Sequence, residues 1–209
     1  MYKILVVAPS WIGDAVLAQP LFRRLHERHP GLTMEAVAPP WTAPLLRRMP
    51  EVQEVIEHPF RHGELKVGER YRLGRRLSRA GYHQAIVLPN SLKASLVPLF
   101  AGIPLRTGFV GEIRRGLLND ARPLFKSRYP LMVERFALLA EKPGVPLPHP
   151  VPSPSLSVPD HARRASLARL GLDPRRPVAA LCPGAEYGPA KRWPARHFAA
   201  LARELARRN

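Results

Sequence analysis

Cysteine is all but missing from this 209-residue sequence, and Cys182 stands alone. A single thiol excludes an internal disulfide and any cysteine-built zinc site, and it fits a reducing compartment. Long apolar runs are missing too: no stretch of about 18 uninterrupted apolar residues occurs, so no segment is expected to span a membrane. The apolar part of the opening Met1–Pro9 run is too short for a signal peptide and soon reaches Asp14. Acidic residues are scarce, 16 against 33 basic ones, which leaves a formal net charge of +17. Aromatics are only 7% and do not interleave with the arginines as a base-stacking surface would require. No zinc-finger or RNA-recognition signature appears either. The expectation is a soluble, cytoplasmic protein with no specific nucleic-acid partner; a basic nucleic-acid-binding module is the alternative from another class.

What is present suffices for a core, with 45% hydrophobic and 23% charged residues. Of the 33 basic residues 27 are arginine, many in doublets such as Arg23-Arg24, Arg75-Arg76 and Arg114-Arg115. The planar guanidinium donates two parallel hydrogen bonds to phosphate. Nucleic acid, an anionic membrane surface or a phosphorylated substrate would each satisfy such a field. Solvated helix faces under a coding bias toward arginine would also produce it.

Apolar runs rich in β-branched residues at 3–8, 32–38, 52–57, 84–88 and 105–109 predict strands. Helical spacing predicts helices over 15–29, 41–49, 70–79, 92–101 and 130–140, with Gly31 stopping the first. Residues 110–128 read as a long basic loop with partial helix. This alternation implies β-α-β units and a doubly wound parallel sheet. Residues 142–159 hold seven prolines, too many for a helix or a central strand, and read as a stiff linker. Beyond it a helix (160–170), a strand (177–182), a turn-rich loop and a helix (195–208) begin the pattern again. One strand and two helices cannot bury their own faces. The expected domains are therefore 1–141, a linker 142–159, and the start of a second domain at 160–209, in a fragment of a longer two-domain protein.

Two loops carry candidate chemistry. Pro9-Ser10-Trp11-Ile12-Gly13-Asp14 follows the first strand, where ligands of open α/β sheets bind. Asp14 stands there either as a helix cap or as a reactive carboxylate. The loop lacks the spacing of a dinucleotide fingerprint or a P-loop. The second loop, Cys182-Pro183-Gly184-Ala185-Glu186-Tyr187-Gly188-Pro189-Ala190-Lys191-Arg192-Trp193-Pro194, again lies between a strand and a helix. Its glycines and Lys191 suit a diphosphate. Asn90 and Ser91 read as helix caps, and His58, His62 and His83 as ordinary surface residues without metal-ligand spacing.

With these two loops, Leu88-Pro89-Asn90-Ser91-Leu92-Lys93, residues 101–108, Arg115-Gly116-Leu117-Leu118-Asn119-Asp120 and residues 130–135, the sequence resembles the ADP-heptose:lipopolysaccharide heptosyltransferases of glycosyltransferase family 9. The resemblance runs along nearly the whole chain. It implies the GT-B fold, two Rossmann-like domains facing a cleft, with acceptor on the N-terminal domain and nucleotide sugar on the C-terminal one. It implies inverting transfer of heptose from ADP-heptose to the lipopolysaccharide inner core. The second loop is most like the type that adds the second heptose; the types adding the first or third are alternatives. Asp14 then matches the family's base and Lys191 its phosphate-contacting lysine, with Ala185 and Glu186 near the nucleotide. Lys93, Arg106, Arg114, Arg115 and Arg122 are acceptor candidates, and the basic helix at 70–79 could rest on the anionic inner membrane surface. No metal or other cofactor is expected.

Overall fold

The apolar runs become one parallel sheet of six strands: β1 (Lys3–Val7), β2 (Thr33–Ala38), β3 (Glu54–Glu57), β4 (Gln84–Val87), β5 (Leu105–Phe109) and β6 (Asp120–Arg122). This is a computed structural model, and it describes residues 1–61, 63–173, 175–185 and 188–208. The strand order is β3-β2-β1-β4-β5-β6, and every neighbouring pair is parallel. The chain builds outward from β1 to β3, then returns to the other side of β1 and builds outward to β6. Between β1 and β4 the direction of winding reverses, which opens a crevice beyond the carboxyl ends of those two strands.

Alternation along the strands explains the two-faced burial. Ile4, Val6 and Ala8 of the β1 segment join Met34, Ala36, Ile86 and Leu88 in the main core. There they meet α1 (Ile12–Leu17), α2 (Gln19–Arg28), α3 (Ala43–Leu46) and α6 (Met132–Leu138) through residues such as Phe22, Leu25, Leu46 and Phe136. Leu5, Val37 and Ala85 point the other way, onto Leu73 and Leu77 of α4 (Val67–Leu77) and Val97 of α5 (Leu96–Phe100). Covering both faces with helices is what all-parallel sheets require.

Four features differ from the sequence reading. The single helix expected over 15–29 is two, α1 and α2, parted at Ala18. Pro20 lacks an amide hydrogen and is accommodated only in the first turn of a new helix. The segment 110–128 holds no helix and supplies β6 instead, whose Asp120 accepts a hydrogen bond from Thr107 Oγ1 at 2.8 Å and pairs with Arg122. The proline-rich stretch runs along the first unit: Leu147 is buried against Tyr129 and Ala137, the Ser155 amide donates to Gln19 Oε1 at 2.7 Å, and Arg23 reaches the Ser153 carbonyl. The fourth lies in the second unit.

The chain divides into two compact units, Met1–Ser157 and Val158–Asn209. The second contains α7 (Asp160–Arg169) and α8 (Ala195–Arg208), neither of which buries a residue. The strand expected at 177–182 does not form; among the described residues no partner strand is there to take its backbone hydrogen bonds. Trp193 packs at the start of α8, stacked on His197 with 5.3 Å between centroids and edge-on to Phe198 at 5.0 Å.

Candidate active site

A cavity of about 330 Å³ occupies the crevice at the carboxyl ends of β1 and β4. Its walls come from the first loop (Ser10, Trp11, Asp14), the segment after β3 (His58, Phe60, Arg61), the segment after β4 (Pro89, Asn90, Ser91, Lys93) and Met132 and Phe136 of α6. The loop walls are held from outside as well: Trp41 Nε1 donates to the Ser10 carbonyl at 2.7 Å, joining the ends of β1 and β2.

Asp14 is the one carboxylate among the described residues that line the cavity. It does not cap α1. The N-cap is Trp11, no side chain caps the helix, and Asp14 sits in its first turn. Half-buried and with no hydrogen bond or ion pair to any described residue, its carboxyl has a pKa raised by desolvation. A helix dipole would favour the ionised form, but α1 has only six residues, and burial sets the direction. A raised pKa makes the carboxylate a better proton acceptor.

Cations surround it. Lys93 and Arg61 line the cavity with no ion pair among the described residues, whereas Arg70 is buried and bonded to protein carbonyls. The wall after β3 is an aromatic stack. The His58 and Phe60 rings stack at 4.5 Å, and the Arg70 guanidinium carbon lies 4.0 Å from the Phe60 centroid. His58 Nδ1 accepts the Phe60 amide hydrogen at 3.1 Å, which leaves the neutral ring's proton on Nε2. Burial first, and Arg70 second, push His58 down to about 4. It is thus a neutral cavity residue that cannot serve as base in this tautomer, and not the ordinary surface histidine expected.

The acceptor candidates separate. Lys93 lines the cavity. Arg115 is exposed on the 110–119 loop and does not line it. The other three point their guanidinium groups at protein. Arg106 donates to the Leu117 and Ile103 carbonyls, both at 2.7 Å. Arg122 pairs with Asp120 and donates to the Glu141 carbonyl at 2.6 Å. Arg114, 1% exposed, donates to the carbonyls of Phe109 and Pro89 and to Asn90 Oδ1. Asn90 and Ser91 do not cap the following turn, since Glu112 accepts the Leu92 amide hydrogen instead, at 2.7 Å. Arginine is ambiguous in sequence because carbonyls left unpaired by loops attract it just as phosphate can.

In the second unit, Lys191 ends a short 3-10 turn (Pro189–Lys191), and Arg192 Nε donates to the Ala185 carbonyl at 3.3 Å. Glu186 and His62 lie outside the described residues. His58, Phe60, Arg61 and Arg70, with Met132 and Phe136 of α6, line the cavity without sequence reasoning having placed them there. Residues 58–61 follow β3 directly, so the strand-end rule that singled out Asp14 would have found them. Among the described residues no group of three His, Cys, Asp or Glu side chains could hold a metal ion, and no helix is long and apolar enough to cross a membrane.

The profile of glycosyltransferase family 9 (heptosyltransferase) matches residues 70–209. The chain is 50% identical over 208 residues to lipopolysaccharide heptosyltransferase 2 of Escherichia coli K12, which covers 97% of this chain and 60% of that protein. It is 45% identical to lipooligosaccharide heptosyltransferase 2 of Haemophilus influenzae Rd over the same shares. The chain thus spans about 60% of the length of these relatives. The solved structure of the E. coli ADP-heptose LPS heptosyltransferase II superposes with a TM-score of 0.91 at 47% identity, covering 99% of this chain and 62% of that one. A family 9 glycosyl transferase from Veillonella parvula shares the fold, with a TM-score of 0.82 at 18% identity over 99% of this chain and 60% of its own.

Proposed function

Because the chain belongs to glycosyltransferase family 9, the heptosyltransferases, we propose that the complete enzyme transfers heptose from ADP-heptose to the first heptose of a lipopolysaccharide inner core. The observation that carries this reading is Asp14: a half-buried carboxylate with a raised pKa and no partner among the described residues, set at the sheet's switch point in a cavity whose other described free charges are cationic. The names of the relatives supply the two substrates, ADP-heptose and lipopolysaccharide.

In the proposed reaction the acceptor hydroxyl lies against Asp14, which takes its proton as the oxygen attacks the anomeric carbon. The bond from that carbon to the β-phosphate oxygen breaks, the configuration inverts, and ADP leaves with the electron pair. Charge growing on the diphosphate needs cations and oriented amides, the role assigned to Lys191 and its turn, with Ala185 and Glu186 near the nucleotide. Lys93 and Arg61, with no ion pair among the described residues, are the cavity-wall side chains suited to phosphate on the acceptor. Arg106, Arg114 and Arg122 are assigned to the protein's own carbonyls, and Arg115 stays a candidate through its exposure. No metal takes part in this scheme.

The acceptor is a membrane lipid, and α4 offers it a basic face. Arg72, Arg75 and Arg76 are exposed together with Arg79 just beyond the helix, while Arg70 turns inward. Each outward arginine near anionic lipid contributes about 1 kcal/mol, so the enzyme is assigned to the cytoplasmic membrane surface as a peripheral protein.

The test incubates the complete protein with ADP-heptose and lipopolysaccharide bearing one inner-core heptose. ADP release with a mass gain of one heptose is expected. An acceptor whose mass stays unchanged overturns the reading, and transfer only to a heptose-free core reassigns the enzyme to the type that adds the first heptose.

A further inference from the structure

Two arginines read from sequence as contacts for acceptor or membrane act instead on opposite ends of one cavity wall. That wall is the segment Pro89–Lys93, which has little regular structure of its own: a single 3-10 turn starts at Leu92, and Ser91 gives it no side-chain cap. At the near end, Arg114 Nη1 donates to the Pro89 carbonyl at 2.6 Å and Nη2 to Asn90 Oδ1 at 3.0 Å, while Nε holds the Phe109 carbonyl at 3.0 Å. At the far end, Arg70 Nη1 donates to the Lys93 carbonyl at 3.1 Å and Nε to the Leu65 carbonyl at 2.6 Å. Between them Glu112 accepts the Leu92 amide hydrogen.

Arg114 and Arg70 are almost wholly buried residues, at 1% and 6% exposure, and neither forms a salt bridge with a described residue. Burying a cation without a carboxylate partner is costly, and an apolar side chain would fill the same volume more cheaply. What only a guanidinium supplies is a rigid fork that fixes several acceptors at once. Gly111 adds to the fit, because a Cβ there would lie 2.6 Å from the Asn90 carbonyl oxygen.

We infer that Arg70 and Arg114 are positioning residues that preform the Pro89–Lys93 wall, so that Asn90 and Lys93 meet the acceptor already in place. The inference rests on the reading of the cavity as the acceptor site. A loop ordered before binding spares the complex the entropy of ordering it. Loosening either end therefore weakens acceptor binding and leaves the donor site untouched.

The experiment uses the complete enzyme and the variants R70K, R114K and the double variant, since lysine keeps the charge but not the fork. Acceptor KM is expected to rise about tenfold in each single variant, with ADP-heptose KM within twofold of wild type. The double variant is expected to fall short of the product of the two, because both ends serve one wall. Amide hydrogen exchange at Leu92–Ala94 is read alongside and is expected to quicken in each. Unchanged exchange, an unchanged acceptor KM, or a donor KM rising in step with it overturns the inference. If wild type transfers no heptose, the heptosyl reading fails by itself, and the exchange result decides whether the clamp exists. Should a lysine variant not fold, G111A presses on the same wall from outside; it is expected to raise acceptor KM alone, and an unchanged value overturns the inference.

Discussion

His58 Nδ1 accepts the amide hydrogen of Phe60 at 3.1 Å, with the two rings stacked, so the imidazole is held neutral against a cavity that also contains Arg70. This arrangement makes stability depend on pH with a definite sign. The folded value is about 4 against an ordinary 6.5, so below 6.5 the unfolded chain binds a proton that the folded one refuses. Nothing is lost above pH 6.5. As pH falls from 6.5 to 4, up to about 3 kcal/mol is lost at this residue. Urea unfolding at pH 7 and pH 4.5 should show a smaller acid loss in H58Q than in wild type; equal losses would place the titrating group elsewhere.

Gly74 lies inside α4, where alanine ordinarily favours the helix by about 1 kcal/mol. Here a Cβ would sit 2.5 Å from Phe100 Cβ and 2.9 Å from the Val97 carbonyl oxygen, both on α5. Backbone cannot move aside as a flexible side chain end can, and overpacking of this kind costs about 1–3 kcal/mol. Packing wins over propensity. G74A should lower the unfolding free energy, and G68A serves as its control: Gly68 lies in the same helix with nothing within 4 Å of its Cβ position.

These two glycines look alike in sequence, which marks where legibility stops. β1 to β5 were readable because a short apolar run fits few other roles, and Asp14 could be singled out as a candidate because the end of β1 is a privileged place in this architecture. β6 was not. Its three residues, Asp120-Ala121-Arg122, have no strand pattern and are held by Thr107 and by the Asp120–Arg122 pair. The destinations of Arg106, Arg114 and Arg122 were equally hidden, because the carbonyls they bind belong to loops up to 25 residues away. His58 was hidden for the opposite reason: burial, which no local pattern announces, lowers its basicity.

Glu141 illustrates how the excess of positive charge is contained. Its buried carboxylate pairs with both Arg24 and Arg28 of α2, just past the end of α6. Removing the charge leaves the largely buried Arg24 guanidinium without its counter-ion and beside that of Arg28. Breaking a buried pair in this way costs about 3 kcal/mol. E141Q should therefore unfold at lower urea concentration than wild type by a margin far beyond that of E57Q, whose partner Arg47 is half exposed and whose pair contributes at most about 1 kcal/mol. Similar losses in the two variants would mean that Glu141 is better hydrated than its burial indicates.

Asp14 is where the proposed chemistry is most exposed to refutation. The D14N substitution keeps the shape of the side chain and removes its capacity to take a proton. Since no described residue bonds the carboxylate, and α1 is capped by no side chain, the change withdraws no hydrogen bond from a described residue. Stability should accordingly hold or rise slightly, because a desolvated charge has been removed. Turnover of the complete enzyme should fall by about 10² or more, while ADP-heptose binding, measured by calorimetry, stays within twofold. The same raised pKa predicts the acid limb of the wild-type rate profile: activity should decline as pH falls through a value above that of an ordinary aspartate, and the limb should vanish from the residual activity of D14N. A variant that keeps wild-type turnover would leave the cavity without a base, since His58 in this tautomer has no nitrogen free to accept the proton.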